Sequence, residues 1–199
     1  MSQGAIEGYA SAAPELIDRY GDIDPEAHLA PVRAFLPPMP ATIIDIGAGI
    51  GTEARWLDAQ GHSVVAVEPV AAFREAAGRM PGNVKWRDDR LPELPAVMAE
   101  GRAYDLVLAL AMLQHLSPPD QIRSIDTLYR LATPGGRLIL SLRHGPGHPD
   151  RKVHDIDVDA ILDAAACAGL VLLSRQAAGS LQKANRAAGV VWTWLVFDR

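Results

Sequence analysis

Thr42-Ile43-Ile44-Asp45-Ile46-Gly47-Ala48-Gly49-Ile50-Gly51 reads as a short buried strand that ends in an acid and runs into a glycine-rich turn. A helix-forming stretch, Thr52 to Gln60, follows at once. Glycines take positive φ and let a ligand approach where a Cβ would clash. The helix behind them points free N–H groups at whatever lies over the turn. This arrangement predicts a site for an adenosine-containing cofactor. Spacing narrows the choice. A dinucleotide fingerprint is G-x-G-x-x-G, with a pyrophosphate on the helix N-terminus. Here the glycines stand at 47, 49 and 51, Thr52 follows, and Asp45 precedes the first glycine by two residues. A carboxylate in that place repels a pyrophosphate but accepts hydrogen bonds from an ammonium or an ordered water. That favours a cofactor with a cationic amino-acid tail.

The chain has 199 residues, enough for one domain with a sizeable core, and 1–199 is expected to be one unit with 1–40 as an N-terminal helical cap. A hydrophobic content of 49% with 22% charged residues is that of a soluble globular protein rather than a disordered one. The net charge of −5 argues against a protein whose main work is gripping nucleic acid. The single cysteine, Cys167, excludes an intramolecular disulfide and a thiolate metal cluster, and is expected to be a small buried residue. No basic region followed by an apolar run marks a secretory signal, and the apolar runs are of strand length. A cytoplasmic protein with no membrane partner is expected.

Outward from the opening stretch, strands and helices alternate. Two helical patterns occupy Ala10 to Leu36, the second starting at Asp24-Pro25 with the acid as N-cap. Pro37-Pro38-Met39-Pro40 stops them ahead of strand one, Thr42–Ile46. Further strands are expected at Ser63–Val67, Asn83–Arg87, Tyr104–Leu110, Arg137–Leu142, Gly169–Ser174 and Val190–Phe197. Helices are expected over Val70–Arg79, after the Ser117 N-cap with Ile122, Ile125, Leu128 and Leu131 buried, and over Asp157–Ala168. Alternating units imply a doubly wound α/β sheet, mostly parallel, with helices on both faces. Only a loop, Arg175–Gly189, is expected between the last two strands, which makes them an antiparallel pair.

With these elements placed, Asp45-x-Gly47-x-Gly49-x-Gly51 resembles the first motif of the class I S-adenosylmethionine-dependent methyltransferases. Val64 to Pro69 resembles the second motif, in which Glu68 would accept both ribose hydroxyls and Pro69 would adjoin the adenosine. Trp86 to Pro92 resembles the third. There Asp88 or Asp89 would meet the adenine amino group, with Arg90 and Leu91 beside the ring. Tyr104 to Leu116 resembles the fourth, with Leu110 and Ala111 as the floor under the sulfonium, and Leu128 to Leu140 the fifth, a structural turn. The resemblance covers nearly the whole chain. It implies a Rossmann-like seven-stranded sheet with a terminal antiparallel strand, S-adenosylmethionine as cofactor and S-adenosylhomocysteine as product. Gly47, Ala48, Gly49 and Gly51 would cradle the cofactor, and Tyr9 and Tyr20 of the N-terminal helices would close over its methionine portion.

His115 lies just past the carboxyl end of a central strand, where open α/β sheets bind ligands. It titrates near neutrality and is the candidate general base; the other reading is packing beside the cofactor. The loops expected at that sheet edge are Ala111–Asp120, Arg143–Asp155 and Arg175–Gly189, and the last two are basic. Arg143, His144 and Arg186 are the candidate substrate contacts, suited to a carboxylate or phosphate on the acceptor. Trp192 and Trp194 are expected in the core or an interface. Asp150, His154 and Asp157 match no metal-ligand spacing, so no metal is expected. Ala111-Met112-Leu113-Gln114 stands where a DNA methyltransferase would carry an Asn-Pro-Pro-Tyr-like or Pro-Cys element. The function read from the sequence is methyl transfer to oxygen or nitrogen of a small acceptor, anionic on one reading, by a monomer or homodimer. The alternatives are a non-catalytic S-adenosylmethionine-binding protein and an NAD(P)-dependent oxidoreductase.

Overall fold

The structure is a computed structural model and describes residues 1, 3–148 and 150–199. The described elements run α1 (Gln3–Ser11), α2 (Ala13–Gly21), α3 (Pro25–Leu29), a 3-10 turn (Ala30–Phe35), β1 (Thr42–Ile46), α4 (Thr52–Ala59), β2 (Ser63–Val67) and α5 (Ala71–Gly78). They continue with β3 (Lys85–Arg87), α6 (Pro95–Ala99), β4 (Tyr104–Leu110), a 3-10 turn (Leu113–His115), α7 (Pro118–Leu131), β5 (Ala132–His144), α8 (Val158–Ala168), β6 (Val171–Gly179), α9 (Lys183–Ala187) and β7 (Val191–Asp198).

The strands form one seven-stranded sheet in the order β3-β2-β1-β4-β5-β7-β6. Pairing is parallel from β3 through β5, and β7 runs antiparallel between β5 and β6. The order reverses between β1 and β4, so their carboxyl ends diverge and open the crevice where such sheets bind ligands. Side chains alternate across the sheet. Ile44, Ile46, Val107 and Leu140 join the core shared with α7 and α8. Ile43, Leu106, Leu108 and Ile139 join the core shared with α3 and α4. Asp45 points to this second side.

A third apolar cluster joins the N-terminal helices to the site. Ala13 and Leu16 of α2 pack with Ile50 of the glycine turn and with Val70 and Phe73 at the start of α5; Tyr9 and Tyr20 lie against them. The apolar faces of α1 and α2 are therefore spent on covering the sheet edge above β1 and β2.

β1, β2 and β4 match the sequence expectation, and α7 starts after the Ser117 N-cap. The N-terminal region holds more breaks than expected, because Pro14 and Pro25 each restart a helix. Asp24 caps α3 by accepting from Glu26 N at 3.0 Å. β5 begins five residues early, since Tyr104 of β4 pairs with Ala132 before the register shifts. β6 extends to Gly179 instead of ending at Ser174, because β7 pairs along its full length and supplies partners that no local signal reveals. The expected loop between them is shortened further by α9. Ile122 is exposed rather than buried, at the solvent side of α7. Cys167 is also exposed, because α8 buries Ile161 and Ala165 and turns position 167 outward.

Candidate active site

A cavity of about 450 Å³ opens at the carboxyl ends of β1 and β4. The glycine turn forms its floor. Gly47 N and Ala48 N donate to Val67 O at 2.8 and 3.1 Å, which ties the end of β1 to the end of β2. Gly47, Gly49 and Gly51 all have positive φ, at 78°, 58° and 77°. Their surroundings differ. A Cβ on Gly47 would lie 3.0 Å from Met112 Cβ, and one on Gly51 would lie 2.7 Å from the Trp86 ring. A Cβ on Gly49 would meet only Tyr20, at 3.8 Å, so the free space beside the turn lies over Gly49.

Glu68, at the end of β2, reaches back to this turn. Its Oε2 accepts from Gly49 N at 2.9 Å and its Oε1 from Val70 N at 2.8 Å, while Arg74 donates to its backbone carbonyl at 2.6 Å. The side chain is buried. Burial pushes its pKa up to about 7, against the pull of the two backbone N–H groups and Arg74. Asp45 is buried deeper. Its Oδ2 has no hydrogen-bond partner among the described residues. Burial first, then the charges of Glu53 and Glu68, raise its pKa well above the usual carboxylate range. Buried polar atoms are ordinarily paired, so an unpaired carboxyl oxygen beside a cavity marks a place for a donor.

His115 sits behind β4 in a tightly determined setting. Its Nδ1 lies 3.1 Å from Lys152 O. A carbonyl only accepts, so Nδ1 carries the proton and Nε2 is the bare nitrogen. Tyr9 Oη then donates to Nε2 at 2.8 Å, with the Gln114 side-chain amide 3.3 Å away. Burial lowers the His115 pKa to about 4, with the Met1 amino group, Arg143 and Arg151 acting in the same direction, and the imidazole is neutral near pH 7. Burial also raises the Tyr9 phenol far above its usual range. Beside this pair Ala111 holds φ 54°, a conformation that ordinarily costs a side-chain-bearing residue about 1–3 kcal/mol. Its N–H is kept there by Ser141, at 3.1 Å from the carbonyl and 2.9 Å from Oγ.

Of the residues singled out from sequence, Tyr9, Tyr20, Asp45, Gly47, Ala48, Gly49, Glu68, Leu110, Ala111, His115 and Arg143 border this one cavity. The others do not. Gly51 packs under Trp86, and Leu91 is fully buried in the core. Pro69 only leads from Glu68 into the α5 cap. Asp88 pairs with Arg74 at 2.7 Å on the surface. Asp89 turns to the start of α6 and accepts from Val97 N at 2.9 Å. Arg90 reaches Gln3, 3.3 Å away. His144 hydrogen-bonds Thr193 Oγ1 at 3.0 Å and faces a separate, smaller recess. Arg186 donates to the carbonyls of Ser180 and Leu181.

The cavity also gathers residues that were not among the named site candidates: His28, Glu53, Gln114, Arg151 of the expected basic loop, and Trp192, expected in the core or an interface. His28 Nδ1 lies 2.6 Å from Glu53 Oε1, and the His28 ring meets Trp194 edge-on. Glu53 carried a signal, as an acid in the first turn of the helix after the glycines. Arg151 carried one as well, as part of the basic loop expected at this sheet edge, whereas His28 carried none, because it reaches the site through tertiary packing. No group of three or more His, Cys, Asp or Glu side chains suited to a metal ion is found among the described residues.

The sequence matches the model of a methyltransferase domain over residues 18–192, most of the chain. The protein belongs to this methyltransferase family. No curated protein matches the methyltransferase in sequence. Solved structures do match in fold. A 1,6-didemethyltoxoflavin-N1-methyltransferase from Burkholderia thailandensis, with 1,6-didemethyltoxoflavin and S-adenosylhomocysteine bound, aligns with TM-score 0.75 at 20% identity, over 98% of this chain and 87% of that one. Magnesium protoporphyrin IX methyltransferase from Synechocystis, with S-adenosylmethionine bound, aligns with TM-score 0.67 at 18% identity, over 88% and 77%. An S-adenosylmethionine-dependent methyltransferase from Mesorhizobium loti aligns with TM-score 0.66 at 18% identity, over 89% and 99%. The methyltransferase thus shares their Rossmann-like sheet with its antiparallel end.

Proposed function

We propose that this methyltransferase uses S-adenosylmethionine to methylate oxygen or nitrogen of a small acceptor that carries an anionic group, with residues 1–40 as the cap over the site. The observation that carries the cofactor reading is the unpaired Oδ2 of buried Asp45 beside the open space over Gly49. A primary ammonium would satisfy that oxygen, and a pyrophosphate would be repelled by it. Glu68 and the Gly49 backbone stand together where a ribose would be held through its hydroxyls. Each Glu68 oxygen keeps a lone pair beyond its backbone N–H bond. S-adenosylmethionine, when bound, supplies a methyl group on a sulfonium that needs no further activation. The residues of the chain then have three tasks: to align the acceptor, to exclude water and to manage its proton. Tyr9, Tyr20 and Phe73 close the apolar side, and Arg143 offers charge to an acid on the acceptor. A small acceptor agrees with the substrates in the names of the toxoflavin and protoporphyrin enzymes.

Calorimetric titration with S-adenosylhomocysteine, with NAD as the control, tests the reading. Micromolar binding of the first alone, about −8 kcal/mol, is expected. Binding of NAD alone, or of neither by folded protein, would refute it.

A further inference from the structure

The charges bordering the cavity sort to two groups. Asp45, Glu53 and Glu68 form the acidic one, where Glu53 is engaged by His28 and Glu68 by two backbone N–H groups. The basic one comprises Arg19, Arg143, Arg151 and the Met1 amino group; Arg19 pairs with Glu15 at 3.6 Å and the Met1 amino group donates to Leu91 O at 2.7 Å, whereas neither Arg143 nor Arg151 has a carboxylate partner among the described residues. Arg143 donates to Gly145 O at 3.1 Å and to Pro146 O at 2.7 Å, which hold its planar fork in place. It is partly withdrawn from water, and that burial lowers its pKa. Carbonyl dipoles alone do not neutralise a cation in such a setting. Arg151 lies over the Tyr9 ring, 5.5 Å from its centre. Tyr9 therefore touches both the basic group, through its ring face, and His115, through its hydroxyl.

Resting on the proposed methyl transfer, we propose that Arg143 and Arg151 form a clamp for a carboxylate or phosphate of the acceptor, and that filling the clamp makes His115 a better proton acceptor through Tyr9. Without an anion, His115 faces Arg143 on β5, Arg151 in the following loop, the Met1 amino group and neutral Tyr9 on α1, with Gln114 and the Lys152 carbonyl beside it. Burial is the largest influence against an imidazolium there, and the charges of the Met1 amino group, Arg143 and Arg151 add to it. An anion held by the guanidiniums offsets the part of that penalty that comes from the positive charges. The acceptor's O–H or N–H proton then passes to Tyr9 Oη as Tyr9's own proton passes to His115 Nε2. Nδ1–H stays on Lys152 O, and the acceptor atom is left with the lone pair that bonds the methyl carbon as that carbon's bond to sulfur breaks and the pair returns to sulfur in the departing S-adenosylhomocysteine. Tyr9 is the residue that meets the acceptor, and His115 positions it and stores the proton. The substrate class is a small organic acid or phosphate ester that bears a methylatable hydroxyl or amine.

The experiment is a nitrogen NMR titration of protein labelled at its six histidines and saturated with S-adenosylhomocysteine. Sodium phosphate and sodium benzoate are added in separate series, with sodium chloride as the control for screening. Saturable binding near ~1–10 mM is expected for at least one of them, with the His115 midpoint rising by about one pH unit. Arg151→Gln and Arg143→Gln should each weaken that anion about tenfold and leave S-adenosylhomocysteine affinity unchanged. Phosphate alone would name a phosphate ester, and benzoate alone a carboxylic acid. Shifts no larger than those from chloride, or saturable binding that survives both substitutions, would overturn the clamp. Should a glutamine variant misfold, Arg151→Lys keeps the charge and loses the fork, and anion binding as tight as wild type there would also count against it. A failure to bind S-adenosylhomocysteine is seen before any anion is added and falls on the cofactor reading instead.

Discussion

Glu68 concentrates two consequences in one carboxyl group. It holds the glycine turn by accepting from Gly49 N, and it is the expected ribose contact. Glu68→Ala should weaken S-adenosylhomocysteine binding by about 1–3 kcal/mol, the cost of leaving hydroxyls and an N–H unpaired. Calorimetry checks this, and unchanged affinity would remove Glu68 from the site. Its pKa has a second effect. The folded value, about 7, lies above the ordinary 4.5, so the folded state binds the proton more tightly than the unfolded chain. Such a group adds stability that is fully present below pH 4.5 and lost as the pH rises through 7. The span corresponds to roughly 3 kcal/mol. Ligand-free protein should therefore lose more stability between pH 5 and pH 8 than Glu68→Gln does, as read from urea midpoints. His115, with its lowered pKa, acts in the opposite sense between about 4 and 6.5, but both proteins carry it. An equal loss in both would show that Glu68 is not the buried acid responsible. The acids at strand ends and the glycines were legible as a site because backbone pattern fixes their place. The Tyr9–His115 pair was not legible as a contact, since 106 residues separate its members and only the docking of α1 joins them.

At the scale of elements, the cover formed by α1 depends on one close approach. A Cβ on Gly8 would fall 1.9 Å from Asp150 O, so the helix lies directly on the loop that carries Arg151. Gly8→Ala tests whether this matters. In an isolated helix the change is favourable by about 1 kcal/mol. Here the methyl group would push α1 from the loop, with an expected cost of about 1–3 kcal/mol from overpacking. The second effect is the larger, so the variant should melt lower than wild type and hold S-adenosylhomocysteine less tightly. A higher melting temperature with unchanged binding would mean that α1 does not bear on the loop. The elements that sequence located poorly share one cause. β6 and the start of β5 owe their length to strands that pair with them, whereas β1, β2 and β4 are mostly apolar runs that announce themselves.

In the whole molecule, the alternation of strands and helices made the doubly wound sheet legible, and the family match and the structural neighbours agree with it. What the alternation did not give is the distribution of the cavity's charge, because its acids come from β1, β2 and α4 and its cations from the N-terminus, α2, β5 and the loop beyond it. No helix of the described residues is long and apolar enough to cross a membrane.

The place of β7 between β5 and β6 has a consequence for synthesis. β6 precedes β7 in the chain, yet among the described residues β7 is its only strand neighbour. Until Val191–Asp198 is in place, β5 presents an open edge and β6, though it packs on α8, lacks a strand partner. Five strands can assemble as they emerge, but the side of the pocket that holds Trp192 is completed only when a later segment slips into a gap already flanked by earlier ones. Slow completion of that short stretch would leave the edge of β5 unpaired for longer, and an unpaired strand edge is open to pairing with other chains.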